Sequence, residues 1–472
     1  MSKRQRDVDV LVVGGGPGGT PAALALAAAG QRVLLVEKSP GLGGTCLFEG
    51  CIPSKILWES ARRLRQLRQA KDFGLGVPAG AIELDWATLL KRKHDILQKR
   101  AQGAFHQTQK FPTLEALLQT HARLLDAHSA WVQPPEGTAF DVRFKTAILA
   151  TGSAPNLPPI TGIDLPGVIT SKGMLQLDHR PRSLAVIGAG PIGVEMAQIF
   201  HTFGTDVSML EMAPRILLPV DEALALRLQK QLEADGIKLE LNARVVAIRQ
   251  ATDGLLVNYT DALGNAKTLC AEFVLTVTGR HPNSEGLGLE NTAVVHDRHG
   301  IKVNAHLQTT EPHIYATGDV AGQLMFAHWA VAQSLAVAQH LLGKRAQFPT
   351  PELNTDVIFS TPELGMAGLT EAQAKEAGYP VAVANYDYAV DARAQIDGLS
   401  QGYLKIVYRT DTRQVVGIHL LSEGAGDLLG EAALAVRTGT TLESLATSIH
   451  PHPTLNEAFG ILARTTTAKP TK

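Results

Sequence analysis

Residues 9–19 read DVLVVGGGPGG, an apolar strand that runs directly into a glycine-rich turn. Small helix-forming residues follow at 22–29, and a second apolar strand, RVLLVE, closes on Glu37. Strand, glycine turn, helix, strand and terminal acid in that order predict a βαβ unit suited to a dinucleotide. Gly14 permits the tight turn, Gly16 lets backbone approach a pyrophosphate, and Gly19 lets helix and strand pack closely. The helix N-terminus offers unpaired N–H groups to the phosphates, and Glu37 offers oxygens to ribose hydroxyls.

The plan returns at 183–211 as SLAVIGAGPIGVEMAQIFHTFGTDVSMLE, with Gly188, Gly190 and Gly193 in the turn and Glu211 as the terminal acid. The offset is constant: 188 − 14 = 174 and 211 − 37 = 174. One glycine fingerprint alone is weak evidence, but two in the same context predict two dinucleotide sites. Three more apolar strands end alike, at Thr151-Gly152, at Thr278-Gly279 and at Thr317-Gly318-Asp319, with Ser153 following the first. Strand carboxyl ends are where open α/β sheets bind ligands, so these exits are expected to face cofactor, with Asp319 placed to meet a ribityl chain.

A chain of 472 residues exceeds what one core usually supports. The expected fold is α/β, with two Rossmann-like domains and a C-terminal α+β domain rich in strands such as YLKIVY and VVGIHLL. The expected segments are 1–153 and 281–351 for the first nucleotide domain, 154–280 for the second, and 352–472 for the last. Helical basic stretches (ARRLRQLRQAK, then WATLLKRKHDILQKRAQGAF) interrupt the first segment. Their charges read as solvated helix faces, with docking of an acidic partner as the minority reading.

Lys+Arg (44) and Asp+Glu (45) nearly cancel, so no global field favours nucleic acid or an anionic membrane. The uncharged run 11–30 holds too many glycines and prolines for a membrane span, and the reading is a soluble, cytoplasmic protein. No His/Cys cluster of metal-ligand spacing is present, so no metal is expected.

Two of the three cysteines lie five apart in GGTCLFEGCIPSK, residues 43–55. A staple across so short a loop restrains little of the unfolded chain, and metal ligands are lacking, which leaves redox chemistry. Cys46 and Cys51 precede a helix start, with Lys55 in its first turns, a setting that favours thiolate. A flavin can pass electrons between thiols and a nicotinamide, so a dithiol, FAD and NAD(P) are expected to form one relay. Cys270, near the exit at Thr278, is expected to be an inert buried thiol. Near the C-terminus, HPHPTLNE places a carboxylate five residues after His452, a pairing suited to acid/base work, with His450 as competitor.

The cysteine segment, both glycine turns, the ATGD exit and HPHPTLNEAF together resemble the class I pyridine nucleotide–disulfide oxidoreductases, across essentially the whole chain. Among their members the chain is most similar to the dihydrolipoamide dehydrogenases, flavoenzymes that reoxidise protein-bound dihydrolipoyl groups with NAD⁺. The resemblance implies that Cys46 is the interchange thiol and Cys51 the thiol against the flavin. It implies Lys55 near the flavin and paired with Glu195, and His452 as acid/base oriented by Glu457, acting on the disulfide of the other subunit of a homodimer. It also implies further FAD contacts at Lys38, Gly44, Thr45, Lys55, Ala122, Thr151, Gly152, Ser153, Met325, Ala327 and His328. NAD contacts are implied at Pro191, Ile192, Val245 and Gly279.

Glu211 favours NAD, because a carboxylate accepts a 2′-hydroxyl and repels a 2′-phosphate, although Arg215 lies close by. Pro191 stands where glutathione reductases carry tyrosine, and no cysteine follows Cys270, unlike mercuric and large thioredoxin reductases. Phe48 and Glu49 replace the usual Asn-Val between the cysteines. The expected partner is a lipoylated carrier: a 2-oxoacid dehydrogenase acyltransferase, a glycine-cleavage carrier or another lipoyl protein. The alternative is NAD(P)H-driven reduction of a different disulfide.

Overall fold

The computed structural model describes residues 5–78, 80, 82–399 and 401–468. Strand Gln5–Val13 pairs in parallel with Val33–Val36 on one side and Phe140–Leu149 on the other. Val10 to Val13 and Val33 to Val36 are buried throughout, as expected of a parallel sheet covered on both faces. Phe140–Leu149 is long enough to pair twice on its far edge. Its first half meets Ser129–Gln133 in antiparallel fashion and its end meets Ile314–Ala316 in parallel. Residues 314–341 therefore belong to the first sheet's layer: helix Ala327–Leu341 packs on Thr20–Ala28, where Ser334 Oγ accepts the Ala22 N–H at 2.9 Å.

The second sheet is parallel in the order Lys238–Leu241, Asp206–Glu211, Ser183–Ile187, Phe273–Thr276, Val168–Ile169. An antiparallel meander, Arg244–Ala251, Gly254–Thr260 and Ala266–Ala271, lies beside it. Cys270 belongs to this meander and is exposed, which corrects the expectation of a buried thiol. The period-2 alternation of a strand explains it: Ala271 turns inward, so Cys270 turns out.

The C-terminal part is a five-stranded antiparallel sheet, ordered Thr355–Ile358, Glu363–Gly368, Val415–Ser422, Tyr403–Arg409, Val381–Asp387. Helices Ala425–Thr438 and Glu457–Thr467 bury Leu429, Ala432, Phe459 and Leu462 in its core. A second core joins all three parts. Leu57 of helix Cys51–Gln69, Val194 and Phe200 of helix Pro191–Thr202, and Ile358 and Leu421 of the C-terminal sheet share one apolar cluster. Each such fully buried side chain contributes roughly 1.5–3 kcal/mol. This shared core sets the spacing between the cysteine helix and the second glycine turn.

Candidate functional site

Cys46 lies in the short helix Gly44–Phe48, and Cys51 opens the helix Cys51–Gln69. Both are free thiols in contact with one another. The Cys46 S–H donates to the Cys51 sulfur, which lowers the Cys51 pKa to about 7, with the Lys55 ammonium acting the same way against burial. The same hydrogen bond and burial hold Cys46 as the thiol. One sulfur is therefore poised as thiolate near neutrality while its neighbour keeps its proton.

One turn on, Lys55 Nζ sits 2.7 Å from Glu195 Oε2 and 4.5 Å from the centre of the Phe359 ring. Glu195 is buried in helix Pro191–Thr202, and its other oxygen accepts the Phe359 N–H at 2.9 Å. Gln198 holds the next stretch by accepting the Thr361 N–H and donating to the Thr361 carbonyl. Lys55 is thus fixed from all three parts of the molecule.

The first glycine turn has the geometry a pyrophosphate needs. A Cβ on Gly14 would lie 2.2 Å from the Ala150 carbonyl oxygen, so only glycine fits. A Cβ on Gly16 would meet nothing closer than Gly44 Cα at 3.6 Å, leaving that backbone open above the helix start. Glu37 accepts the Gly15 N–H at 2.6 Å and the Ser39 N–H at 2.7 Å, which orients its carboxylate beside the turn. Lys38 follows it, and Ala122 is the second residue of strand His121–Asp126, which starts just after Thr120, whose N–H bonds the Glu37 carbonyl.

At the strand exits, Thr151 Oγ1 donates to the Asn283 carbonyl, and Ser153 Oγ donates to Asp319 Oδ2 at 2.5 Å. The Gly318 N–H is held by Gln333 Oε1, which fixes the turn carrying Asp319. Met325 and Ala327 flank the start of helix Ala327–Leu341, and the His328 Nε2–H donates to the Thr355 carbonyl. This run of polar groups leads from Glu37 past the glycine turn to the cysteines, and fits an extended FAD.

The second turn fits a nicotinamide dinucleotide in the same way. A Cβ on Gly190 would meet nothing within 4 Å, and a cavity lined by Gly190, Pro191, Ile192, Gly279 and Arg280 opens beside it. Glu211 accepts the Ala189 N–H at 2.6 Å and the Ala213 N–H at 2.8 Å. Val245 follows Ala243, whose N–H bonds the Glu211 carbonyl. Arg215 turns away: its guanidinium donates to the carbonyls of Ile216, Leu217, Leu218 and Val220.

The two C-terminal histidines part company. His450 is nearly buried and its Nε2 lies 2.8 Å from Glu431 Oε1, which is also tied to the rest of the fold through Asn456 Nδ2 on its other oxygen. His452 is 74% exposed, and its Nδ1 lies 3.0 Å from both oxygens of Glu457. The Thr454 N–H and then His452 hold the Glu457 carboxyl below its ordinary range. With Nδ1–H donated to Glu457, the outward Nε2 is the ring's proton acceptor. Among the described residues, no hydrogen bond joins His452 to Cys46 or Cys51.

Sequence reasoning missed several residues here. Arg280 donates to the Ser153 side chain and carbonyl, both at 2.7 Å, and clamps one exit loop to another. An arginine directly after the Thr278-Gly279 exit was the available signal. Phe359 and the Glu49–Lys172 ion pair (2.6 Å) carried none, since their partners are distant in sequence.

Residues 8–334 match the family described as pyridine nucleotide-disulphide oxidoreductase, and residues 355–463 match that family's dimerisation domain. The chain belongs to this family. Its members work with FAD and NAD(H) and are homodimers, as the dimerisation domain implies here. The chain is 35% identical to a dihydrolipoyl dehydrogenase of Bacillus subtilis, covering 96% of this chain and 97% of that protein. It is 36% identical to the dihydrolipoyl dehydrogenase of Thermus scotoductus, covering 96% and 95%. Among solved structures it resembles the HOCl-induced flavoprotein disulfide reductase RclA from Escherichia coli, in its Cu(II) complex. That match has a TM-score of 0.86 and 29% identity, covering 98% of this chain and 99% of the other. No described helix is long and apolar enough to cross a membrane.

Proposed function

We propose that this chain is a dihydrolipoyl dehydrogenase: dihydrolipoyl protein + NAD⁺ → lipoyl protein + NADH + H⁺. The observation that carries the reading is the Cys46–Cys51 contact, with its thiol/thiolate asymmetry and Lys55–Glu195 one turn away. The chemistry supplied by bound FAD is acceptance of two electrons from thiols and hydride donation to NAD⁺.

This chain's residues do the rest. With Cys46 and Cys51 oxidised to a disulfide, a substrate thiolate attacks the Cys46 sulfur and Cys51 leaves as thiolate. The second substrate thiol then displaces Cys46, forming the lipoyl disulfide and leaving the enzyme dithiol. His452, supplied by the partner subunit, takes the proton from the attacking thiol, and Glu457 stabilises the resulting imidazolium. Cys51, already favoured as thiolate, would be the sulfur that passes electrons to bound FAD. Lys55, neutralised by Glu195, stays beside it as a fixed hydrogen-bond donor.

FAD is held by Gly14, Gly16, Gly19, Glu37, Lys38, Gly44, Thr45 and Lys55, and by Ala122, Thr151, Gly152, Ser153, Asp319, Met325, Ala327 and His328. NAD is held by Gly188, Gly190, Pro191, Ile192, Gly193, Glu211, Val245 and Gly279. The sheet memberships support a division into 1–153 with 281–351, 154–280 and 352–472. The substrate partner is a lipoylated carrier, and the reaction belongs to a reducing, cytoplasmic compartment that suits free thiols.

The likeness to a disulfide reductase favours one second reading, NAD(P)H-driven reduction of another disulfide. Steady-state rates decide. Dihydrolipoamide with NAD⁺ should turn over far faster than NADH or NADPH with glutathione disulfide or a dithiobis(nitrobenzoate) probe. The reverse order would establish the second reading.

A further inference from the structure

We propose that the exposed cationic face of helix Trp86–Thr108 is a docking surface for an acidic carrier protein, which it seats beside Cys46. The inference rests on the function proposed above and names the kind of partner that site accepts.

The charge is local. Residues 86–108 hold five Lys/Arg and one acid, a net of +4, while the rest of the chain holds 39 Lys/Arg against 44 acids, a net of −5. The helix therefore stands out against an acidic remainder, and its charge cannot reflect a generally basic protein.

The two basic helices also differ in what their cations do. On Cys51–Gln69, Arg62 and Arg63 pair with Glu59, Arg65 bonds Thr202 Oγ1 and Arg68 bonds the Thr202 carbonyl. Those charges hold the fold together. On the second helix, Lys91 pairs with Asp95 and Lys93 donates to the Leu175 carbonyl, but Arg92, Lys99 and Arg100 are exposed. Among the described residues none of these three has a carboxylate partner. Arg92 and Lys99 are two helical turns apart and share a face, about 10 Å between them, with Arg100 adjoining.

The position relates this face to the chemistry. Ala101 and Phe48 both pack against Gly41, which sets the helix directly on the segment that carries Cys46. Arg100 is close enough to favour the Cys46 thiolate electrostatically. Arg100 stands nearest the interchange thiol, and with Lys99 and Arg92 on the outward side of the same helix it complements a surface rich in Asp and Glu around a dithiol arm. Such pairing raises encounter rates at low salt and fades as salt screens it.

The test uses the purified holoenzyme and two synthetic heptapeptides with a central dihydrolipoyl-lysine, flanked by glutamates in one and serines in the other. Free dihydrolipoamide is the control. The acidic peptide should show roughly tenfold higher kcat/KM than the serine peptide at low salt, and the advantage should vanish at high salt. The Arg92→Glu/Lys99→Glu variant, which leaves Arg100 and the cysteines untouched, should erase that advantage while keeping the rate with free dihydrolipoamide. Equal rates for both peptides, or an advantage unchanged in the variant, would overturn the docking surface alone. An absence of turnover with free dihydrolipoamide would overturn the proposed function as well. Competition by duplex DNA without a preference for the acidic peptide would reassign the face to nucleic acid.

Discussion

Lys55 Nζ lies 2.7 Å from Glu195 Oε2, joining the helix that begins at Cys51 to the helix that follows the second glycine turn. The side chains are 28% and 9% exposed, so the pair is largely shielded from water. Breaking such a pair from one side leaves an uncompensated charge and costs about 3–5 kcal/mol at full burial, less here. Lys55→Met and Glu195→Leu should each lower the melting temperature of the holoenzyme. The double variant should lose less than the sum, and thermal unfolding of all four proteins measures the coupling.

Cys51 titrates at about 7, lowered from its ordinary value by the Cys46 S–H and by Lys55. The sign is that of an acid with a depressed pKa: thiolate prevails above pH 7 and is lost as pH falls through it. The long-wavelength absorbance of the two-electron-reduced holoenzyme should therefore fade below pH 7. Cys51→Ser should lack the band at every pH. Cys46→Ala should keep a band, with its midpoint moved upward because the hydrogen-bond donor is lost, while losing dithiol oxidation.

His452 and His450 should respond differently to substitution. His452→Gln should cut kcat with dihydrolipoamide by about 10²–10⁴-fold at little cost in stability, because the ring is exposed and acts on a proton. His450→Gln should mainly lower the melting temperature, since it removes a buried partner of Glu431. Equal losses of activity from the two would contradict the assignment.

Glu211 already holds two backbone N–H groups, and Arg215 is committed to carbonyl oxygens. The wild-type enzyme should prefer NAD⁺ over NADP⁺. Glu211→Ala should narrow the ratio of kcat/KM values by roughly tenfold or more, as it removes a repulsion of about 1.4 kcal/mol or greater. Arg215→Ala should leave the ratio unchanged.

Burial, with the nearby Glu195 charge, pushes the Asp356 carboxyl up to about 6. Its folded pKa exceeds its unfolded one, so the folded state binds the extra proton and stability falls as pH rises from about 4 to 6. Asp356→Asn should then raise the unfolding free energy at pH 8, by up to about 3 kcal/mol, and change it little at pH 4.

The parts legible in the sequence were those whose chemistry is contiguous. Each glycine turn and its acid lie within one short βαβ unit, so a single stretch displays the turn, the helix start and the carboxylate together. Cys46 and Cys51 are five apart and His452 and Glu457 are five apart, within the reach of local backbone. Cys270 was misread because burial depends on which way a strand faces, and that depends on its neighbours. Arg280, Phe359 and the Glu49–Lys172 pair went unseen for the same reason: each works through a residue from another part of the chain.

By itself, the order of residues determined the βαβ units, the paired thiols and the acid beside each turn, because short-range sterics and hydrogen bonding fix those. Only the tertiary structure decided that His450 is tied to Glu431 while His452 points outward, that Arg215 is spent on carbonyls, and that Arg92, Lys99 and Arg100 have no carboxylate partner among the described residues. Those outcomes depend on which surfaces the shared core brings together, and packing is a property of the whole chain rather than of any stretch of it.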